Sequence, residues 1–145
     1  MPGLFASDID ELEADLETFF ESGNSRDLEN FREAWHPEAV LFFRNNLFPV
    51  DLKDIGTEIW TQIFRDIFAG YVDLDYRAVD LNYRVLGGIG LVWGLTELTF
   101  QLKGEPQYQQ EVRLTATFAR TEKGWKNVSW NGSAFPERLR AEGRK

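Results

Sequence analysis

The chain has 145 residues, no cysteine, a single histidine and a net charge of −8, a length that can bury its own core without staples. These values exclude disulfides and thiolate chemistry, leave too few soft ligands for a transition-metal site, and argue against nucleic acid, which needs a basic footprint. MPGLFASDID lacks the basic and apolar regions of an export signal, and no run of about 18 apolar residues occurs; a single cytoplasmic domain over 1–145 is expected, with no membrane partner and no cofactor.

Helical spacing opens the chain. Ile9, Leu12, Leu16, Phe19 and Phe20 share a helix face, Ser7 offers an N-cap, and Asp8, Asp10 and Glu11 put negative charge in the first turn, where the macrodipole favours it. Gly23-Asn24 stops this helix, and Asn24 or Ser25 can cap a shorter one carrying Leu28, Phe31, Ala34 and Trp35. That second helix should end before Pro37, because a residue preceding proline avoids the α region. Ala39 to Phe43 reads as a short strand and Arg44 to Pro49 as a loop. A third helix is predicted from Asp54 to Ala69, with rows Ile59, Ile63, Ile67 and Trp60, Phe64, Phe68 forming a broad apolar face that must be buried.

From Tyr71 the period becomes two. Val72, Leu74 and Tyr76 alternate with acids and Arg77; the pattern then resumes at Val79, Leu81, Tyr83 and Val85, so a bulge is expected near Ala78. Gly87-Gly88 turns the chain into a strand from Ile89 to Leu102, Lys103 to Pro106 turns it again, and strands follow over Gln107 to Arg120 and Trp125 to Ser133. Gly88, Gly90 and Gly94 read as turn and close-approach glycines, not as a phosphate loop. The basic tail, 137–145, is expected to fray. Segregated helices and hairpin-linked strands indicate an α+β fold. A helical hairpin and a third helix would pack on a curved, mainly antiparallel sheet and leave a cone-shaped cavity.

This order, with WHPEAV after the helical hairpin and GWKNVSWNGS in the last strand, resembles the nuclear transport factor 2-like superfamily. Within it the chain is similar to SnoaL-like domains and to the association domain of calcium/calmodulin-dependent kinases. The resemblance implies the cone-shaped α+β barrel far better than a function, because the superfamily holds isomerases, cyclases, dehydratases and oligomerisation modules. Ketosteroid isomerases of this fold use an Asp base, a Tyr and a second Asp. Phe43, Leu16 and Ala116 stand at the corresponding places, so that mechanism is not implied. Relatives with histidines in the last strand are matched here by Ser129 and Asn131.

With a regular register about Gly104-Glu105, Glu97 would lie opposite Val112 and Trp93 opposite Ala116; the next hairpin would bring Ser129 near Ala116 and Asn131 near Leu114. The expected lining is then Trp93, Leu95, Glu97, Leu114, Ala116, Ser129 and Asn131, roofed by Trp35, Phe42 or Phe43, Trp60 and Phe64. Such a wall, apolar with a few polar groups, suits a small apolar or aromatic molecule. Glu97, buried beside tryptophan, would have a raised pKa and act as catalytic acid or base; alternatively it faces solvent or pairs with Arg113. His36, the only histidine, is read as a packed ring or a helix-dipole partner. Arg113, Thr115 and Thr117 share the other sheet face, which the resemblance makes a homodimer interface. Three functions stay open: a small-molecule-binding module, an isomerase, cyclase or hydro-lyase using Glu97, and an oligomerisation or protein-interaction module.

Overall fold

The computed structural model describes residues 7–42 and 49–134. Phe43, expected in the site roof, and the tail expected to fray, 137–145, lie outside them. Helix α1 (Asp8–Asn24) begins with a capping box: Ser7 accepts from the Asp10 N–H, and the Asp10 carboxylate accepts from the Ser7 N–H. Its buried face is Leu12, Leu16 and Phe19. Helix α2 (Leu28–Glu33), capped by Asp27, is shorter than predicted. Trp35, expected on that helix, opens strand β1 (Trp35–Phe42) instead. Pro37 pushes the residues before it toward extended conformations, and the Asn127 N–H donates to the Ala34 carbonyl at 2.9 Å, which starts strand pairing there.

Strand β2 (Pro49–Asp51) pairs with β1 across Val40 and Asp51, at the end of a stretch read as loop. Helix α3 (Leu52–Ala69) starts on an Asp51 cap and is interrupted at Gly56, whose φ of 80° and ψ of 164° are not helical. Trp60 and Phe64 point into the core, but Ile59 is 56% exposed. The expectation that both rows are buried is therefore corrected at one position: Ile67 and Phe68 pack partly buried against the core, and Ile59 is left at the surface.

Four long strands complete the chain: β3 (Tyr71–Leu86), β4 (Ile89–Leu102), β5 (Gln107–Thr121) and β6 (Gly124–Ala134). They form one sheet of order β2-β1-β6-β5-β4-β3, antiparallel except where β1 runs parallel to β6. The phase slip in β3 appears as an irregularity between Ala78 and Asp80. Its inner face carries Val92, Val112, Leu114, Ala116 and Phe118, all buried. Two side chains fasten α1 to the sheet. The Asn24 amide donates to the Tyr76 carbonyl at 2.9 Å and accepts from its N–H at 2.7 Å, as a neighbouring strand would. Asp15 accepts from the Trp125 N–H at 2.9 Å. Among the described residues no helix is long and apolar enough to cross a membrane.

The strand registers differ from those predicted, and the difference decides the site. Across β4 and β5, Glu97 faces Glu111 and Trp93 faces Thr115, one residue from the expected pairs. Pro106 has no N–H to give the ladder, so the loop takes it in and pairing begins at Gln101 and Gln107. Across β5 and β6 the predicted register holds as far as Phe118 and Asn127, then shifts. There the Asn127 Oδ1 accepts from the Ser129 N–H at 3.0 Å, taking a backbone donor out of the ladder. Beyond it Ser129 pairs with Thr117 and Asn131 with Thr115. A shift of one residue turns every side chain to the opposite face.

Candidate functional site

Those registers separate the expected lining into two groups. Trp93, Leu95, Glu97, Ser129 and Asn131 lie with Arg113, Thr115 and Thr117 on the outer face of the sheet. Leu114 and Ala116 stay inside with Trp35, Trp60 and Phe64. The chamber expected between Trp93 and Trp60 is thus corrected: these two rings stand on opposite sides of the sheet. Glu97 receives two hydrogen bonds from the Arg77 guanidinium, the shorter at 2.5 Å. That bond, with one from Gln109, holds its carboxyl below the usual carboxylate range, the reverse of the raised value expected. The cation it meets is Arg77 on β3.

Inside, rings pack on rings. Trp60 lies 4.5 Å from Phe64 and 6.2 Å from Trp35 between centroids, and Phe31 lies 5.0 Å from Phe64. Toward β3 this cluster passes through Phe20 and Trp130 to Tyr76. Thr96 Oγ1 is 3.0 Å from the Tyr76 hydroxyl and 2.9 Å from the Val112 carbonyl. A carbonyl only accepts, so Thr96 gives it its single proton and the phenol donates to Thr96. Burial, the largest cause, raises the Tyr76 pKa.

Because the folded value lies above the ordinary 10.0, Tyr76 stabilises the fold fully below the unfolded pKa and loses that contribution as pH rises through the folded pKa. Tyr76→Phe is expected to cost about 1 kcal/mol at neutral pH. It should also make the alkaline loss of stability shallower. Urea unfolding of both proteins on either side of the phenol range checks this; identical alkaline slopes would show that Tyr76 does not titrate within the fold.

At the opposite end of the core lies an open cleft of about 630 Å³. Trp35, Trp60 and Leu52 supply its apolar wall, and Arg32, His36, Lys123 and Lys126 stand on its polar side with Glu33 and Glu122. The parts are brought together by the end of α2, the start of β1, α3 and the β5–β6 hairpin. His36 Nδ1 accepts from the Glu38 N–H at 3.0 Å, a turn contact that orients the ring. Lys126 donates to the Glu33 backbone carbonyl, and Arg32 lies 3.8 Å from the Glu33 carboxylate. The indole N–H groups of Trp35 and Trp60 are buried and have no acceptor among the described residues. No cluster of three His, Cys, Asp or Glu suited to a metal occurs among the described residues.

Two of the residues predicted to bind ligand, Trp35 and Trp60, therefore meet in this cleft. The lysines of the last hairpin and Asn127 are the residues that sequence reasoning missed. For Asn127 a signal exists: it is a polar side chain in phase with Trp125 in a strand whose inner face should be apolar. For Lys123 and Lys126 none does, because charges in a hairpin normally mark solvent.

The SnoaL-like domain family pattern matches residues 12–137. No curated protein matches the chain in sequence. Among solved structures, the chain is similar to a candidate dehydratase of the nuclear transport factor 2-like family from Streptomyces avermitilis. That pair has a TM-score of 0.76 and 18% identity, covering 89% of this chain and 97% of the other. A candidate calcium/calmodulin-dependent protein kinase II association domain from Xanthomonas campestris gives a TM-score of 0.72 at 15% identity, over 88% of each chain. A nuclear transport factor 2-like superfamily protein from Salmonella enterica gives 0.72 at 11%, over 89% of this chain and 92% of that one. At such identities the likeness establishes the fold alone.

Proposed function

The chain belongs to the SnoaL-like domain family, and on that premise we propose that it is a small-molecule-binding domain, holding an apolar or aromatic ligand in the cleft beside Trp35. The observation that carries this reading is the cleft of about 630 Å³ with two tryptophans and a leucine in its wall, a size within the range of small-molecule sites, about 300–1,000 Å³. Proton transfer by Glu97 is not part of it: a carboxylate on the outer face, held ionised by Arg77, neither reaches the cleft nor keeps a proton near neutrality. The dehydratase likeness of a structural neighbour lends the hydro-lyase alternative a scaffold, but Glu97 is not placed to operate it.

The reading includes a homodimer joined through the outer face around Arg113, Thr115 and Thr117. Apolar side chains at the surface support it, among them Trp93, 36% exposed, and Ile89, which an isolated monomer would leave in water. A cytoplasmic location also belongs to the reading, supported by the absence of cysteine from the whole sequence.

Native mass spectrometry of the protein as purified, without added ligand, tests both parts in one spectrum. A dimer carrying a small organic adduct is expected. Trp93→Glu should yield monomer, and Glu97→Gln should keep the adduct. A monomeric wild type would contradict the interface, a bare protein would contradict the ligand, and loss of the adduct in Glu97→Gln would restore a binding role to that residue.

A further inference from the structure

Strand β3 is an edge of the sheet, and an edge strand leaves backbone donors and acceptors without a neighbour. Residues along a strand send their N–H and C=O alternately to its two sides. Leu86 and Ile89 flank the tight Gly87-Gly88 turn and bond to each other, so Arg84 and Asn82 face β4 as well. The backbone groups of Leu81, Tyr83 and Val85 therefore point away from the sheet, and they have no hydrogen-bond partner among the described residues. Farther along the same edge, at Tyr76, the Asn24 amide takes both backbone groups in place of a strand. The irregularity at Ala78 and Asp80 separates that plug from the open stretch, which is regular over 81–86 and long enough for a short added strand.

The wall beside that edge is acidic. Helix α1 runs alongside β3, and its Glu13, Glu17 and Glu21 line a groove of about 370 Å³ with Phe20 and Tyr83. Burial first, then the charges of Glu13 and Glu17, raise the Tyr83 pKa, which sets both carboxylates close to the open stretch. None of the three glutamates has an ion pair among the described residues, and Arg77, the cation that lines the groove, is committed to Glu97. Like charges at this helical spacing are destabilising, so the row is unopposed. Successive glutamates stand about 6 Å apart along the helix axis, and alternate residues of an antiparallel strand about 6.8 Å apart. The two periods nearly match. The groove shares no lining residue with the cleft.

We infer that this edge docks an extended cationic segment of another polypeptide, added antiparallel to β3 over residues 81–85 with lysine or arginine at every second position. Residues that exchange hydrogen bonds across an antiparallel pair turn their side chains to the same face. Leu81, Tyr83 and Val85 turn theirs toward the core side, so the bonded residues of the guest turn theirs toward α1 and its glutamates. Backbone pairing supplies affinity, and the carboxylates select the guest. A second copy of this chain does not meet that demand: its β3 would bring Leu81, Tyr83 and Val85 to the glutamates instead of cations.

The peptide KVKVKVK, capped at both ends, and its acidic counterpart EVEVEVE test this by calorimetric titration into the full chain, with amide hydrogen exchange read by NMR. KVKVKVK is expected to bind and to slow exchange at Leu81, Tyr83 and Val85, and EVEVEVE to do neither. Glu13→Gln and Glu17→Gln, both at exposed positions and expected to fold, should each weaken binding roughly threefold, as loss of an exposed ion pair does. N-methylation of the peptide's lysines, whose N–H groups face β3, should abolish binding; N-methylation of its valines, whose N–H groups face away, should not. Equal binding of EVEVEVE, or an affinity unmoved by both substitutions, would overturn the assigned charge. Slowed exchange only at other residues, or lysine N-methylation without effect, would overturn the edge pairing. Failure of KVKVKVK to bind at millimolar concentration would overturn the site.

Discussion

Gly94→Ala is expected to leave little or no folded protein. Gly94 has a φ of 145°, and a Cβ built on it would lie 2.1 Å from the Asp80 carbonyl oxygen and 3.1 Å from the Leu81 Cα. Both neighbours are backbone of the adjacent strand, beside the β3 irregularity at Ala78 and Asp80, so no rotamer change relieves the clash. Strand β3 would have to part from β4, and with it the Asn24 contacts that hold α1. A loss of about 4 kcal/mol or more follows, in the range reserved for a change that breaks a structural rule. Gly88→Ala is the control: nothing lies within 4 Å of its added Cβ, and the change should stay within about 0.5 kcal/mol. Urea unfolding of the two variants measures both. Near-native stability of Gly94→Ala would mean that the strands do not approach as described.

Trp60→Ala is the second large effect, expected at about 3–5 kcal/mol. Trp60 has no exposed surface and is, among the fully buried side chains, the largest. Its ring meets Phe64, Trp35 and Phe31, the last in a stacked arrangement at 5.9 Å. Removing it would open a cavity where α2, α3 and β1 converge, and aromatic neighbours collapse poorly into such a space. Trp60→Phe should cost much less, because it keeps most of the contact and removes an N–H that has no acceptor among the described residues. Equal losses for the two variants would show that the indole nitrogen is satisfied after all.

Much of this fold is legible in the sequence because local chemistry and tertiary demand agree. Ser7, Leu12, Leu16 and Phe19 mark the first helix unaided. The alternation of Val112, Leu114, Ala116 and Phe118 identifies the inner face of β5, and the interrupted alternation in β3 locates its irregularity. The site is less legible because register is not a local property. In β4 both faces carry apolar groups, Val92 and Phe100 on one and Trp93 and Leu95 on the other, so composition cannot choose between them. Pro106 makes the choice by leaving the ladder at the turn, and the Asn127 side chain makes a second one by claiming the Ser129 N–H. Each displaces the pairing by a single residue. Together they carry Glu97, Ser129 and Asn131 from the expected chamber to the outer face.

What remains central is that a small molecule binds at the tryptophans of the cleft and nowhere on the sheet's outer face. The chain's five tryptophans make this directly observable in a nitrogen-15-labelled NMR titration with 2-naphthoate, read at the indole N–H signals after assignment by single Trp→Phe variants. The Trp35 and Trp60 signals should move together and saturate, while that of Trp93, across the sheet, stays in place. Movement of Trp93 with Trp35 and Trp60 unchanged would contradict the account.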